Sequence, residues 1–453
     1  MWEKNPQNDV GAGCPDEASL VAYVQGELTA EEVASLEGHL AGCDDCRGRA
    51  AGVRALVGRL RELAPEPTGR DLAPLVLARL GRTVPTTVRL ARIAVLAACL
   101  LLILWGGWMV TVARRTSAPD VLAAAPEEMK RALDWLAAAQ ENDGSWNPEK
   151  WGGQADYRVG LTGLGLLAFT GAGETPTAGP HADTVARAVA YLVGEQSKTG
   201  RFGPFFSAAP YNHGIATVAL LETYARTNDV KLRAPLARAV HFIKSRQDTH
   251  GGWGYLAPDV HTNTSITAWQ LHALLLADSL GWSDRNATAR RGLTWLAGVV
   301  DDEGRAGYSR SGDFPYGSRT LTAMTAFCLS VGARREGGRD GSVPSVVDSL
   351  ARLAAESTRE VDYYEWYFLA HALSAARGKP SDERSEFDPL MAQLRTALIE
   401  RQVKTGANAG SWDPSDRWGR AGGRVYATAM AALSLQADTR AAGLLEGTKA
   451  SGR

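Results

Sequence analysis

The chain has 453 residues, 49 of them basic and 50 acidic, for a formal net charge of −1. That length accommodates two or three domains, and the balanced charge excludes the basic surplus with which nucleic-acid-binding proteins hold phosphate. Five cysteines, three of them before residue 47, exclude a disulfide-stapled scaffold.

The N-terminus, "MWEKNPQNDVGAG", lacks the apolar core of a cleavable signal peptide, so none is expected. "TAEEVASLEGHLAGC" predicts a helix. Thr29 caps it, Glu32 completes a capping box, and Val33, Leu36 and Leu40 recur at helical spacing. His39 and Cys43 are four residues apart and Cys43 and Cys46 three, so all three share a face if the helix persists. With Cys14 upstream they offer four ligands for a closed, tetrahedral, structural zinc site. Incidental thiols beside a surface histidine are the alternative, and the H-x3-C-x2-C spacing favours the metal. A segment this short has little core of its own, and zinc would supply folding free energy of order 10 kcal/mol.

These residues resemble the zinc-finger domain of zinc-containing anti-sigma factors. The matching frame is Leu20, Tyr23, Gly26-Glu27-Leu28, Glu32, Leu36, His39-Leu40, Cys43 and Cys46. The resemblance implies zinc at Cys14, His39, Cys43 and Cys46. It also implies a cytoplasmic domain whose partner is an extracytoplasmic-function sigma factor or another cytosolic protein.

"CRGRAAGVRALVGRLRELAP" continues as a basic amphipathic helix with Val53, Leu56, Leu60 and Leu63 on one stripe. It is either a partner-docking helix or a solvated helix packed on the finger. Pro65, Pro67, Pro74 and Pro85 then punctuate a linker. From Ile93 to Ala113 run 21 residues without a charge. As a helix they would span about 30 Å, the thickness of a hydrocarbon core. Arg89, Arg92, Arg114 and Arg115 bracket the run, and Trp105 and Trp108 suit an interface. The expectation is one transmembrane helix in a bacterial inner membrane, with the N-terminus cytoplasmic and everything after residue 113 extracytoplasmic. The positive-inside bias and the thiol cluster's fit to a reducing compartment both favour that orientation.

Beyond the span, Gly/aromatic turns recur: "QENDGSW" ends at Trp146, "QSKTGRF" at Phe202, "QDTHGGW" at Trp253, "DDEGRAGY" at Tyr308 and "QVKTGANAGSW" at Trp412. The interval is about 50 residues, doubled once, which predicts six helical hairpins with one turn lost. The lost turn falls in "SLARLAAESTREVDYYEWYFLAHALSA", which keeps both helices. In each unit an amphipathic helix precedes the turn and one rich in small residues follows, as in "GLTGLGLLAFTG" and "TAWQLHAL". A single hairpin cannot bury its apolar face, whereas stacked neighbours can.

The turns resemble the QW motif of the prenyltransferase and squalene-cyclase superfamily, and the resemblance covers about residues 125 to 437. It implies an (α/α)6 toroid with the small-residue helices inside. The catalytic signatures of that superfamily are missing: no D-x-D-D, no D-D-x-x-D, and no D-x-C within the repeat region.

The expected fold is therefore all-α. A zinc-finger domain occupies 14–62, a linker 63–92, the transmembrane helix 93–113, and a toroid of the terpenoid cyclase and protein prenyltransferase type 125–437. Residues expected at the toroid's mouth or interior are Asp259, His261, Trp269, Arg319 and Tyr363. The same holds for Tyr364, Glu365, Trp366, Arg424 and Tyr426. They either wall a cavity for a hydrophobic ligand or fill a solid core, and the second is favoured. His213, His272 and His371 are read as hydrogen-bonded core histidines. The functional expectation is a membrane regulator or sensor with a non-catalytic toroid that binds a ligand or a protein. Alternatives are a divergent membrane-anchored cyclase or prenyltransferase-like enzyme, and a protein-binding scaffold.

Overall fold

The computed structural model describes residues 30–44, 46–48 and 50–51, and residues 127–440 apart from 205–207, 256–261, 283–286, 316–317, 336–342, 358–359 and 378–386. The linker, the apolar run 93–113, Cys14, Asp259 and His261 lie outside the described residues. Among the described residues no helix is long and apolar enough to cross a membrane. The chain divides into two compact units, Met1–Val121 and Leu122–Arg453.

In the first unit, helix α1 spans Ala30–Gly42. It does not run on unbroken: Cys43 is non-helical, and helical geometry returns at Asp44 and at 46–48. Arg47 closes the break, donating from Nε to the Leu40 carbonyl (3.0 Å) and from a terminal nitrogen to that of Ala41 (3.1 Å). A cation on the last carbonyls of a helix satisfies acceptors that the helix cannot. Leu36 and Ala50, with Leu40 against them, form a small apolar cluster.

The second unit is helical, with only isolated β-bridges among the described residues. Among the described residues, six outer helices alternate with six inner ones. The outer set is α2 (Glu127–Ala139), α4 (Ala182–Gly194), α6 (Arg233–Ser245), α8 (Ala287–Gly298), α10 (Val343–Ser357) and α12 (Phe387–Arg401). The inner set is α3 (Arg158–Gly171), α5 (Ala209–Thr227), α7 (Thr264–Ser279), α9 (Arg319–Arg335), α11 (Tyr363–Arg377) and α13 (Gly419–Leu435). Each inner helix packs on the next, and α13 packs back on α3, so the ring closes.

Sequence decides which helix goes where. In α3 every residue from Val159 to Gly171 is buried, and in α7 every residue from Thr264 to Ala277. A helix apolar all round belongs between two layers. Outer helices such as α2 bury one stripe, Met129, Ala132, Leu133, Leu136 and Ala139, and leave Lys130 and Arg131 in solvent. Close approach needs small residues: a Cβ at Gly165 would press on the Trp146 ring.

Four of the turns between outer and inner helices share one hydrogen-bonding device. Gln140 Nε2 donates to the Gly144 carbonyl (3.0 Å) and to Thr184 (2.9 Å), in the next outer helix. Gln196 and Gln247 repeat the pattern onto Pro235 and Thr288. Gln402 ties the last turn to the first outer helix, reaching Gly410 (3.0 Å) and Glu128 (2.7 Å). The turn aromatic anchors the unit inward. Trp146, Trp253 and Trp412 each donate an indole N–H at 2.8 Å to a carbonyl of the preceding outer helix. Their backbone N–H groups go to Thr162, Thr267 and Thr428 on the inner helix. The fourth turn departs from the sequence reading. Its anchor position is Ala306, whose N–H donates to Thr322 Oγ1 (2.9 Å), and Tyr308 lies two residues beyond it, half-buried. The hydrogen bond that the inner-helix threonine accepts from the turn backbone, rather than the aromatic ring, sets the register here.

Candidate functional sites

In the first unit the donor atoms of His39, Cys43 and Cys46 lie within 4.8 Å of one another. Cys46 is fully buried, and His39 and Cys43 are half-buried. The two cysteines are not joined in a disulfide. His39 Nε2 is buried without a hydrogen-bond partner. An orphaned imidazole nitrogen facing two thiols is the donor arrangement of a zinc site, whose bonds of about 2.0–2.3 Å draw ligands together. Two soft thiolates with an imidazole suit zinc better than a hard cation. Cys14, the fourth expected ligand, lies outside the described residues.

The toroid presents a second site where its inner helices begin. Asp362 caps α11, its Oδ1 accepting from the Glu365 N–H (2.9 Å), the N-cap half of a capping box. Arg417 reaches the other Asp362 oxygen at 3.0 Å. Glu365, 2% exposed, does not return to the cap. Its Oε2 accepts from Arg319 Nε at 3.0 Å, and its Oε1 is buried without a partner. Asp416 Oδ2 accepts from the Tyr363 N–H (3.0 Å) and the Tyr426 hydroxyl (2.9 Å), while its Oδ1 has no partner. Burial dominates the protonation of this group. Desolvation pushes Glu365 up to about 7 against the pull of Arg319. It lifts Asp416 to about 6, helped by the charge of Asp362, and raises Asp362 itself despite Arg417. A cavity of about 310 Å³ opens beside them, lined by Ser318, Arg319, Thr320, Glu360, Asp362 and Glu365, among others.

The expected pocket residues do not form one wall. Trp269 and Tyr364 lie inside the ring, joined by an indole N–H to phenol hydrogen bond of 2.6 Å. Arg319 and Glu365 belong to the mouth, and Tyr426 donates to Asp416, which also accepts from the Tyr363 N–H. Trp366 faces the outer layer, under the Arg401 guanidinium and edge-on to Tyr363. Arg424 binds Ser411 (2.9 Å) and pairs with Asp413 in the turn. Below Tyr364 the axis is filled: Trp269 stacks on Tyr367 at 5.8 Å, with Phe368 and Phe327 beside it, all at most 1% exposed.

Where the inner helices end, Arg440 pairs with Glu222 at 2.5 Å and donates to the Leu167 carbonyl. His213 is hydrogen-bonded on both nitrogens, accepting from the Phe202 N–H (3.1 Å) and meeting the Ala239 carbonyl (3.3 Å). His371 bonds through Nδ1 alone, to the Tyr367 carbonyl. His272 differs from expectation, since neither ring nitrogen has a partner among the described residues. Cys328 is fully buried, and burial pushes its thiol far up, which makes it unreactive.

Sequence reasoning missed Asp362, Asp416 and Arg417. The D-x-x-E of Asp362 and Glu365 is a legible helix start. Nothing in the sequence says that it meets the Asp416 loop. A further pattern was also passed over: Tyr157, Tyr211, Tyr255, Tyr308, Tyr364 and Tyr426 stand one in each unit, either in the turn before the inner helix or in its N-terminal half. Tyr255 hydrogen-bonds to both Tyr211 and Tyr308 through its hydroxyl.

Residues 17–47 match the family described as "Putative zinc-finger", and residues 161–315 match the squalene-hopene cyclase C-terminal domain. A squalene–hopene cyclase of Zymomonas mobilis is 26% identical over 221 residues, 42% of this chain. The chain spans about a third of that relative, 31% of its length. A GH76A α-1,6-mannanase of Salegentibacter sp. HEL1_6 superposes with a TM-score of 0.53 at 11% identity, covering 70% of this chain and 99% of that one. The cellobiose 2-epimerase of Bacillus thermoamylovorans B4167 gives 0.51 at 12%, covering 68% and 98%. At such identities the likeness shows the fold. The chain therefore carries a zinc finger of the anti-sigma-like type ahead of a squalene-cyclase-like α/α toroid.

Proposed function

We propose that this chain is a single-pass membrane regulator. Its zinc finger faces the cytoplasm and binds an extracytoplasmic-function sigma factor or another cytosolic protein, and its toroid is an extracytoplasmic, non-catalytic binding domain. The observation that carries the reading is the convergence of His39, Cys43 and Cys46 within 4.8 Å, ahead of the apolar run 93–113. The absent cyclase motifs and the aromatic filling of the toroid's axis support a binding role over cyclisation. Signalling across one span needs two states with different affinity for the partner. The test is copurification of the tagged full chain from host membranes. A sigma subunit recovered with the wild type and lost with Cys43→Ser supports the reading. A wild-type preparation, zinc-loaded and solubilised, that brings down no sigma factor or other cytosolic protein sinks it.

One observation favours a second reading as an anchored enzyme: Glu365, buried beside Asp362 with its pKa pushed up to about 7, has the properties of a general acid. Product formed from squalene or prenyl diphosphates and abolished by Glu365→Gln would establish that reading instead.

A further inference from the structure

We propose that the mouth of the toroid, from the cavity at Glu365 to the partly exposed Trp418, binds a neutral polyhydroxylated ligand of the oligosaccharide class. The inference deepens the reading of the toroid as a binding domain and rests on it. It does not depend on the finger's partner.

Charge comes first. The cavity carries two guanidiniums, Arg319 and Arg417, against the carboxyls of Glu360, Asp362 and Glu365. Most are already paired: Arg319 with Glu365 at 3.0 Å and with Glu360 at 3.7 Å, Arg417 with Asp362 at 3.0 Å. Near-balanced, internally paired charge gives no large net attraction to an anion or a cation. It does supply fixed acceptors and donors for hydroxyl groups, and bonds to ionised groups are the strong ones.

A specific acceptor is waiting. Glu365 is 2% exposed and contributes to the cavity lining, and its Oε1 is buried without a hydrogen-bond partner. A buried acceptor left without a hydrogen bond is destabilising, and a hydroxyl that reaches it from the cavity relieves that cost. Ser318 and Thr320 add hydroxyls, and Thr320 Oγ1 already accepts from Arg417 at 3.0 Å.

An apolar platform adjoins the polar pocket. Trp418 is 36% exposed, with Tyr364 edge-on at 5.8 Å and the Arg417 guanidinium over its ring at 5.1 Å. An aromatic face next to a fork of charged groups matches a pyranose, which has an apolar C–H face and a rim of hydroxyls. The phenols around the mouth repeat that amphipathic character, as in Tyr211, which bonds Ser265 at 2.7 Å and Tyr255 at 3.4 Å. A prenyl chain would instead need depth along the axis, where Trp269, Tyr367 and Phe368 stand fully buried.

The experiment is calorimetric titration of the purified full chain with α-1,6-mannotriose, maltotriose and cellotriose, with spermidine and geranylgeraniol as contrasts. At least one trisaccharide should bind saturably and change tryptophan fluorescence, while spermidine and geranylgeraniol should not bind. Glu365→Gln, nearly isosteric, and Trp418→Ala, at an exposed rim, should each weaken binding roughly tenfold or more. Their unfolding midpoints show whether the fold is kept, and the wild-type fluorescence response reports on the site without any variant. Binding of none of the three sugars, binding equal in both variants, or variant-sensitive binding of either contrast ligand overturns the proposal. Sigma-factor copurification would be untouched by that failure, as this titration would be by failure of copurification.

Discussion

Glu365 faces Arg319, yet it titrates like a group deprived of water, because burial outweighs the guanidinium. Its pKa is raised in the folded state from 4.5 to about 7. The contribution it makes to stability is therefore complete below pH 4.5 and is lost as pH rises through 7. An amide cannot ionise, so Glu365→Gln should gain stability relative to wild type across that window, by about 3 kcal/mol at the alkaline end. Parallel denaturant-unfolding curves for the two proteins from pH 4.5 to 8 would refute this. The core histidines act in the opposite sense. Burial pushes His213 and His371 down to about 3 and lowers His272 as well. Their contribution is present above pH 6.5 and lost as pH falls, because the unfolded chain takes up protons that the native core refuses. The wild-type melting temperature should accordingly drop on acidification from pH 7 to 4.5, and a flat profile would count against neutral core histidines. Of the mouth, the sequence showed Arg319 and Glu365 as polar residues at the start of inner helices. It could not show Asp416 and Arg417 beside them, because that contact joins helix starts some 50 residues apart and exists only once the ring is curved.

Helices and turns were far more legible than side-chain neighbourhoods. All six inner helices fall where small-residue runs predict them, because a helix between two layers needs close approach along its whole length. The error at Tyr308 came from weighting the ring over the backbone. Ala306 fills the anchor position because Thr322 fixes the main chain, and a methyl group can follow where an indole usually sits. Gln402→Ala removes two hydrogen bonds and leaves the carbonyls of buried Gly410 and half-buried Glu128 without that donor. A loss of about 2–4 kcal/mol is expected in chemical denaturation. Gly410 has φ +93°, and a Cβ there would overlap the Arg131 carbonyl. Gly410→Ala should therefore cost at least as much, through backbone strain and displacement of α2. Either variant unfolding at the wild-type midpoint would mean that the ring closes by other means.

At the scale of the molecule, the order of modules was plain from residue types alone: thiols and imidazole first, then an uncharged apolar run, then a repeat. What could not be read is what the toroid holds, since that depends on which side chains curvature brings together. The two units should respond separately to loss of metal. A strong chelator is expected to remove one zinc per chain and abolish the cooperative folding of the first unit, while the toroid's calorimetric transition stays in place. Metal analysis of Cys46→Ser should show the same loss without any chelator. The bond from Gln402 to Glu128 has one more consequence. It fastens the last unit to the first, so the two chain ends of the ring are neighbours, and the circle has no privileged starting point. A circular permutant that links residue 440 to residue 127 and is reopened at the exposed Gly281 turn should fold to the same ring.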